Sequence, residues 1–341
     1  MNKTETNKER ILEKKHRYDS VDLMKFIGSI MIFTMHLNAF NDYEIVSFIF
    51  RKMTQWGVPF FFVTSSFFLF SKSENGNISK NILTKYIKRI LFLYLVYFVI
   101  NIPSIVYERL ITDGITNPLT WIGFCKEALL SSTFTGSWYL NSSIICAVCI
   151  YLLSKKLNTK VILIIGGIVE LICLLSSQQQ LLPDFLYNAF RFLCFPLNSF
   201  GGMFFFAVGK FIFEKRNRIF NVSIFVYVFI FIISCILYIS ENIGLFGINL
   251  GVGLIPLSVS LVIIVFKISI NIKNHITLRK LSTIIYCGQG NVLVVCGFIR
   301  NTLHLNYLTK ALIGYVLISI FAILVLAIQK SNKFKWAKYL T

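Results

Sequence analysis

Apolar residues in this chain are grouped in long runs separated by short polar segments, instead of forming amphipathic stripes. About 20 residues is the length that an α-helix needs to cross a bilayer. The pattern therefore predicts an all-α, polytopic membrane protein with about ten transmembrane helices. The predicted spans are approximately 22–40, 53–71, 89–107, 138–154, 161–177, 195–213, 220–239, 245–266, 281–300 and 310–329.

The composition supports this fold class, since 56% of the 341 residues are hydrophobic and only 14% are charged. The apolar run that follows the basic N-terminal residues lacks the small-residue cleavage pattern of a secretory signal, so we expect the first span to be retained. The predicted organisation is a cytoplasmic basic segment at 1–21, one membrane domain at 22–329 and a cytoplasmic basic tail at 330–341. Between the third and fourth spans, a short interfacial helix is expected within 108–137.

The distribution of basic residues predicts the orientation. With the N-terminus placed inside, 25 of the 34 Lys and Arg residues fall in cytoplasmic segments, which is the bias that the positive-inside rule describes. Both termini are therefore predicted to be cytoplasmic, and the net charge of +19 needs no nucleic-acid partner. Seven basic residues are predicted on the outer side: Arg51, Lys52, Arg109, Lys126, Arg191, Arg300 and Lys310.

The eight cysteines lie in or beside apolar segments and show no Cys/His spacing typical of a metal site. Thiols are common among buried residues, so we interpret these cysteines as packing residues. No metal ligand is predicted.

The first predicted span contains two ionisable residues on one face. Lys25 and His36 are eleven residues apart, which is about 16.5 Å and close to three helical turns. Lys25 would lie at the cytoplasmic edge and His36 near the bilayer midplane. Hydrocarbon favours the neutral imidazole, whose free lone pair suits a general base or a nucleophile. The alternative is a core histidine whose hydrogen bonds are satisfied.

The same depth count places four further polar residues near the midplane: Ser65, Ser66, Glu170 and Gln289. An ionisable group at that depth is costly and suggests function, although Glu170 would also fit a structural ion pair. The serines would equally well bond to carbonyls of their own helix, and the glutamine would equally well join two helices. The sequence thus predicts a polar site in mid-membrane.

These residues stand in segments that resemble the acyltransferase-3 family of bacterial integral-membrane O-acyltransferases. "SVDLMKFIGSIMIFTMH" resembles the family's first span, whose hallmark is Arg or Lys, ten residues and then His, matched here by Lys25 and His36. "VPFFFVTSSFFLF" resembles its second span, where Ser66 replaces the glycine of the usual Ser-Gly pair.

Three later segments extend the resemblance along the chain. "YIKRILFLYLVY" resembles the basic entry to the third span and keeps Arg89, whereas Tyr86 replaces the first of two usual arginines. "GSWYL" resembles the Trp-aromatic-Leu signature, carried by Trp138 and Tyr139. "LRKLSTIIYCGQGNVLVV" resembles a late segment in which a histidine usually stands at the position of Gln289.

The resemblance implies that an acyl group, usually acetyl from cytoplasmic acetyl-CoA, is moved to a hydroxyl of an extracytoplasmic glycan at a bacterial cell membrane. Acyl-CoA would be a donor substrate, with no permanently bound cofactor. Polysaccharide-synthesis proteins would be further partners besides the lipid bilayer and the glycan.

It also implies roles for the candidate residues. His36 would accept the acyl group or deprotonate the acceptor, with Glu170 orienting its ring. The phosphates of CoA would meet a basic mouth made of Lys25, Lys85, Lys88 and Arg89. The substrate-binding candidates are Trp138, Tyr139, Ser65, Ser66 and Gln289.

Two other functions fit the same sequence. A proton-coupled transporter of a small solute, such as an amino acid, would also need polar groups at the midplane. A structural subunit of a polysaccharide-synthesis complex is a further alternative. Acetyl-CoA turnover would distinguish the enzyme from both.

Overall fold

The computed structural model describes residues 18–73, 76–112, 124–125, 128, 132–176, 182–197, 200–243 and 251–331. Helices make up 81% of the structure and its described residues form no strand, which confirms the all-α prediction. The basic segment at 1–17, most of the expected interfacial helix within 108–137 and the tail from 332 lie outside the described residues.

The described residues form fourteen helices, which we number in chain order. They are α1 (Asp19–His36), α2 (Glu44–Met53), α3 (Gly57–Phe70), α4 (Lys80–Ile100), α5 (Ile102–Thr112), α6 (Ser137–Leu153), α7 (Thr159–Leu175), α8 (Asp184–Leu197), α9 (Met203–Glu214), α10 (Arg216–Asn221), α11 (Ile224–Asn242), α12 (Leu254–Lys267), α13 (His275–Leu303) and α14 (Tyr307–Lys330).

Three of the described helices, α11, α13 and α14, are long and apolar enough to cross a membrane. A fourth span results if α4 and α5, which are bent by 62° at their junction, are counted as one. Helix α1 has 18 residues but carries three charged residues, and the apolar helices α6 and α12 have 17 and 14 residues. Ten spans and cytoplasmic termini therefore remain predictions.

Two predicted spans begin later than the apolar runs indicate. Helices α9 and α12 start at Met203 and Leu254, although the apolar runs begin near 195 and 245. Glycines precede both starts, and Gly251 has a positive φ of 68°, a conformation that favours glycine and ends regular helix. Hydrophobicity alone does not indicate where these two helices begin.

Helix packing places the starts of α1 and α13 at the same end of the bundle. The two helices lie side by side, and the Ser282 hydroxyl donates to the Lys25 carbonyl oxygen at 2.9 Å. Helix α3 packs against α9 through a core of buried phenylalanines: Phe60, Phe62, Phe67, Phe70 and Phe206. Helix α1 also packs against α3, with Tyr18 on the rings of Phe67 and Phe68, so the starts of α1 and α13 lie beside the end of α3.

A glycine sets how closely α3 and α9 approach. A methyl group on Gly209 would overlap the Val63 carbonyl oxygen and lie 2.6 Å from Ser66 Cβ. We therefore expect Gly209→Ala to lower the free energy of unfolding by about 1–2 kcal/mol, because packed backbone has little room to move.

Gly297→Ala is the matched control, since nothing lies within 4 Å of its added methyl. It should raise stability by up to about 1 kcal/mol through helix propensity. Thermal unfolding in detergent measures both, and equal melting temperatures would contradict the packing argument.

Candidate active site

A cavity of about 520 Å³ lies where the starts of α1, α4, α6 and α13 meet the middle and end of α3. This volume is typical of a small-molecule site. One end of the cavity is a charged rim, formed by Asp19, Asp22, Lys25, Lys72, Arg89, His275 and Arg279. The other end is an aromatic floor, formed by Phe61, Ser65, Tyr139 and Tyr286.

A bidentate ion pair joins α1 to α13 at the charged rim. Arg279 donates from Nε to Asp22 Oδ1 at 2.9 Å and from Nη2 to Asp22 Oδ2 at 2.8 Å. Asp22 is buried, whereas the Arg279 side chain is 52% exposed. Such a planar fork fixes orientation as well as distance, so the relative position of the two helix starts is specified here.

A second acidic residue and a histidine complete this ion cluster. His275 Nδ1 lies 2.9 Å from Asp22 Oδ2 and 3.6 Å from Asp19 Oδ1. Asp19 also accepts the backbone N–H of Ile272 at 2.9 Å. The Asp19 and Asp22 carboxylates are thus paired with groups just before α13 or in its first turns. These groups locally compensate the negative charge of the two carboxylates.

Three cations of the charged rim form no ion pair within the described part of the chain: Lys25, Lys72 and Arg89. The Lys25 ammonium lies 5.6 Å from the centre of the Phe68 ring, and the Lys72 and Arg89 side chains are exposed. The rim therefore presents uncompensated positive charge to the cavity. That arrangement suits an anionic ligand.

The aromatic floor carries a pair of hydroxyl groups. Tyr139 Oη and Ser65 Oγ are 2.8 Å apart, and the Tyr139 ring packs edge to face on Tyr286 with centroids 5.8 Å apart. Tyr286 lies seven residues after Arg279 on α13, so the floor is about 10 Å deeper than the rim. The cavity thus runs from charged groups to hydroxyl groups.

The structure brings four of the predicted site residues together around this cavity: Lys25, Arg89, Ser65 and Tyr139. Lys85 and Lys88 are exposed and lie outside its lining. Trp138 is also outside the lining, with its ring packed on Phe62 at a centroid distance of 5.9 Å.

Two of the predicted substrate-binding residues, Ser66 and Gln289, form contacts within or between helices and do not line the cavity. Ser66 is fully buried between α3 and α9, where its hydroxyl donates to the Phe206 carbonyl oxygen. Gln289 is fully buried in α13, and its amide donates to the Tyr286 carbonyl oxygen at 2.9 Å. Neither side chain lines the cavity, and their contact with substrate stays a prediction.

His36 and Glu170 lie apart from the cavity lining. His36 is the last residue of α1 and its side chain is exposed. Glu170 is half-buried in α7, which packs against α8 and α9, whereas α1 packs against α3, α12 and α13. Among the described residues no hydrogen bond or ion pair joins them, so their pairing stays a prediction.

Sequence reasoning missed the ion cluster. Arg279 is predicted only as part of the cytoplasmic positive charge and His275 has no predicted role, because their partners lie more than 250 residues away. One signal was present: Asp19 and Asp22 are spaced by three residues, so they share a helix face beside Lys25. Two acidic residues on one helix face beside a lysine would have indicated a specific cationic partner.

Comparison with known proteins connects this geometry to a family. The chain matches the profile of the acyltransferase-3 family, described as an acyltransferase domain, over residues 18–328. Two Enterococcus faecalis proteins, both named amino-acid racemase, are 30% identical over 217 residues and 27% identical over 154 residues.

Those alignments cover 61% and 43% of this chain but only 30% and 21% of the two relatives, so the chain spans less than a third of their length. No solved structure matches the chain significantly. The family profile, in contrast, covers nearly every residue from the start of α1 to the end of α14, and the chain therefore belongs to the acyltransferase-3 family of membrane acyltransferases.

Proposed function

We propose that this protein is a membrane O-acyltransferase that moves an acyl group, acetyl in the simplest case, from cytoplasmic acyl-CoA to a hydroxyl of an extracytoplasmic glycan. The observation that carries the proposal is the cavity, which joins an uncompensated cationic rim to a floor of hydroxyl groups. Membership of an acyltransferase family supplies the reaction class.

The charged rim fits the phosphates of the donor. Lys25, Lys72 and Arg89 offer an ammonium or guanidinium group that forms no ion pair with a carboxylate of the described structure. Arginine binds phosphate oxygens in a bidentate manner and lysine acts as a point charge, so the two types complement each other. Because Asp19 and Asp22 are occupied by the α13 ion cluster, they repel an incoming anion less than free carboxylates would.

The proposed chemistry requires the thioester to pass beyond the rim toward His36. Helix α1 leads from Lys25 to His36 over about 16.5 Å, with both residues on one face. There the imidazole would take the proton of the acceptor hydroxyl, and that oxygen would attack the thioester carbonyl carbon. The carbon–sulfur bond then breaks, and the CoA thiolate recovers the proton from the imidazolium. The products are an ester and free CoA.

The role of the rim can be tested with Lys25→Gln. We expect the KM for acetyl-CoA to rise about tenfold with little change in kcat, because one cation that contacts only the donor phosphates is worth about 1.4 kcal/mol. Radiolabelled acetyl transfer by the purified protein in lipid nanodiscs measures both constants. Lys156→Gln is the matched control, since Lys156 is exposed and lies outside the cavity. An equal rise in KM for both variants would mean that the effect comes from general surface charge and not from donor binding at the rim.

The second candidate function is proton-coupled transport of a small solute such as an amino acid, since both relatives are named amino-acid racemase. A free amino acid carries one ammonium and one carboxylate, and the charged rim contains both acidic and basic side chains. Uptake of radiolabelled serine and alanine into proteoliposomes tests this alternative. Uptake that needs no acetyl-CoA and survives His36→Ala would overturn the acyltransferase proposal in favour of a transporter.

A further inference from the structure

A nearly buried lysine without a counterion lies at the end of the bundle opposite to the charged rim. Lys310, in the first turn of α14, is only 9% exposed. Its ammonium lies 5.8 Å from the centre of the Tyr307 ring, and it forms no hydrogen bond or ion pair with any described residue. The aliphatic stem of Lys310 is buried, whereas its ammonium still reaches the molecular surface, so an anion from outside the chain can contact it.

A second cation contacts the same ring. The Arg300 guanidinium lies 3.9 Å from the Tyr307 ring centre, and its Nη1 donates to Asn301 Oδ1 at 3.3 Å. Its Nε is buried without a partner among the described residues. Two like charges around one tyrosine repel each other, and an anion bound between them would relieve that repulsion.

The nearby acidic residue does not serve as that anion. Asp42 Oδ2 accepts the backbone N–H of Tyr307 at 2.9 Å, which fixes the start of α14 against the segment after α1. In the described structure Asp42 forms no ion pair with Arg300 or Lys310. The two cations remain available to a ligand.

His36 lies at this same end of the bundle. A methyl group on Gly314 would lie 2.8 Å from Leu37 Cδ2, and the Thr34 hydroxyl is hydrogen-bonded to Tyr315. Lys310 precedes Gly314 by four residues, so it lies about 6 Å, or one helical turn, farther toward the helix start. The pair of cations is therefore about one turn beyond the level at which α1 ends with His36.

We propose that Arg300 and Lys310 bind a carboxylate or phosphate group of the acceptor, so that the acceptor is an acidic glycan. This inference rests on the proposed function, because it assigns the acceptor side of the same reaction. The positive-inside bias does not account for two adjacent cations on the predicted outer side. The Tyr307 ring between them adds a face on which a sugar can stack.

The test uses the full chain in nanodiscs of phosphatidylcholine, with three oligosaccharide probes of equal length. Oligogalacturonate carries carboxylates, a poly(glycerol phosphate) oligomer carries phosphates, and dextran oligosaccharide is neutral. Calorimetry should show that at least one anionic probe binds about tenfold or more tightly than dextran, with an affinity that falls as salt is added. Lys310→Gln should weaken that binding about tenfold, whereas Lys310→Arg should retain it.

Lys52→Gln is the matched control, because Lys52 belongs to the same predicted side and its ammonium lies 5.9 Å from the centre of the Phe48 ring, away from Tyr307. Equal binding of dextran, or an unchanged affinity of Lys310→Gln, would overturn the proposal. The proposal would also fail if phosphatidylglycerol in the nanodisc displaced the anionic probe from the native chain, since the site would then hold a lipid headgroup.

Acetyl-CoA hydrolysis without acceptor separates this inference from the proposed function. A native chain that binds the acidic probe but never turns over acetyl-CoA would overturn the acyltransferase proposal and the assignment of this anion as an acceptor. Turnover with no preference for an acidic probe would overturn the anion site alone.

Discussion

His36→Ala is expected to lower the rate of acetyl transfer at least about 100-fold, which is the scale of a lost general base. The ring is exposed at the end of α1 and forms no hydrogen bond within the described residues, so its removal opens no cavity and should leave the melting temperature unchanged. The KM for acetyl-CoA should also change little, since Lys25, the proposed donor-binding residue, lies about three turns away. Radiolabelled transfer in nanodiscs and thermal unfolding in detergent measure the three quantities.

His304→Asn is the matched control for this prediction. His304 is also exposed at the same end of the bundle, and its φ of 50° is tolerated by asparagine. Transfer by His304→Asn should remain native. If His36→Ala kept more than about a tenth of native transfer, His36 would not be the base.

Glu170→Gln adds a separate test of the predicted pairing. Since no contact in the described structure joins Glu170 to His36, the orienting role rests on equal predicted depth alone. An unchanged kcat in Glu170→Gln would remove Glu170 from the site without affecting the assignment of His36.

Local sequence patterns predicted the helices well and their interactions only in part. Apolar runs identify helices because every backbone group must be paired inside a bilayer, and α11, α13 and α14 follow the predicted spans closely. The start of α12 depends on the positive φ of Gly251, a backbone conformation that hydropathy does not weigh. The fold class was thus predictable, whereas several helix boundaries were not.

The two neighbouring serines of α3 show why the site was only partly predictable. Ser65 faces the cavity and Ser66 faces α9, because successive residues point about 100° apart on a helix. Choosing between them requires knowing which helix packs on which side of α3. That information is tertiary, as is the pairing of Asp22 with Arg279 across 257 residues.

The ion cluster at the charged rim leads to a second large effect, on stability. Arg279→Ala would leave the buried Asp22 carboxylate with His275 as its remaining side-chain partner. We expect a loss of about 3 kcal/mol in the free energy of unfolding, near the lower end for a broken buried pair, because the arginine itself is half exposed. Asp22→Asn should cost only about 1 kcal/mol, since the arginine can then turn to water.

The two changes combined give the sharper test. A buried carboxylate is costly only while it is charged and unpaired, so adding Asp22→Asn to Arg279→Ala should recover part of the lost melting temperature. Additive losses would show that the two groups are not coupled. The same double variant distinguishes folding from donor binding. If the cluster also positions Lys25, one turn further along α1, the KM for acetyl-CoA will stay raised in the double variant after its melting temperature has recovered. If the cluster is purely structural, the KM and the melting temperature will recover together.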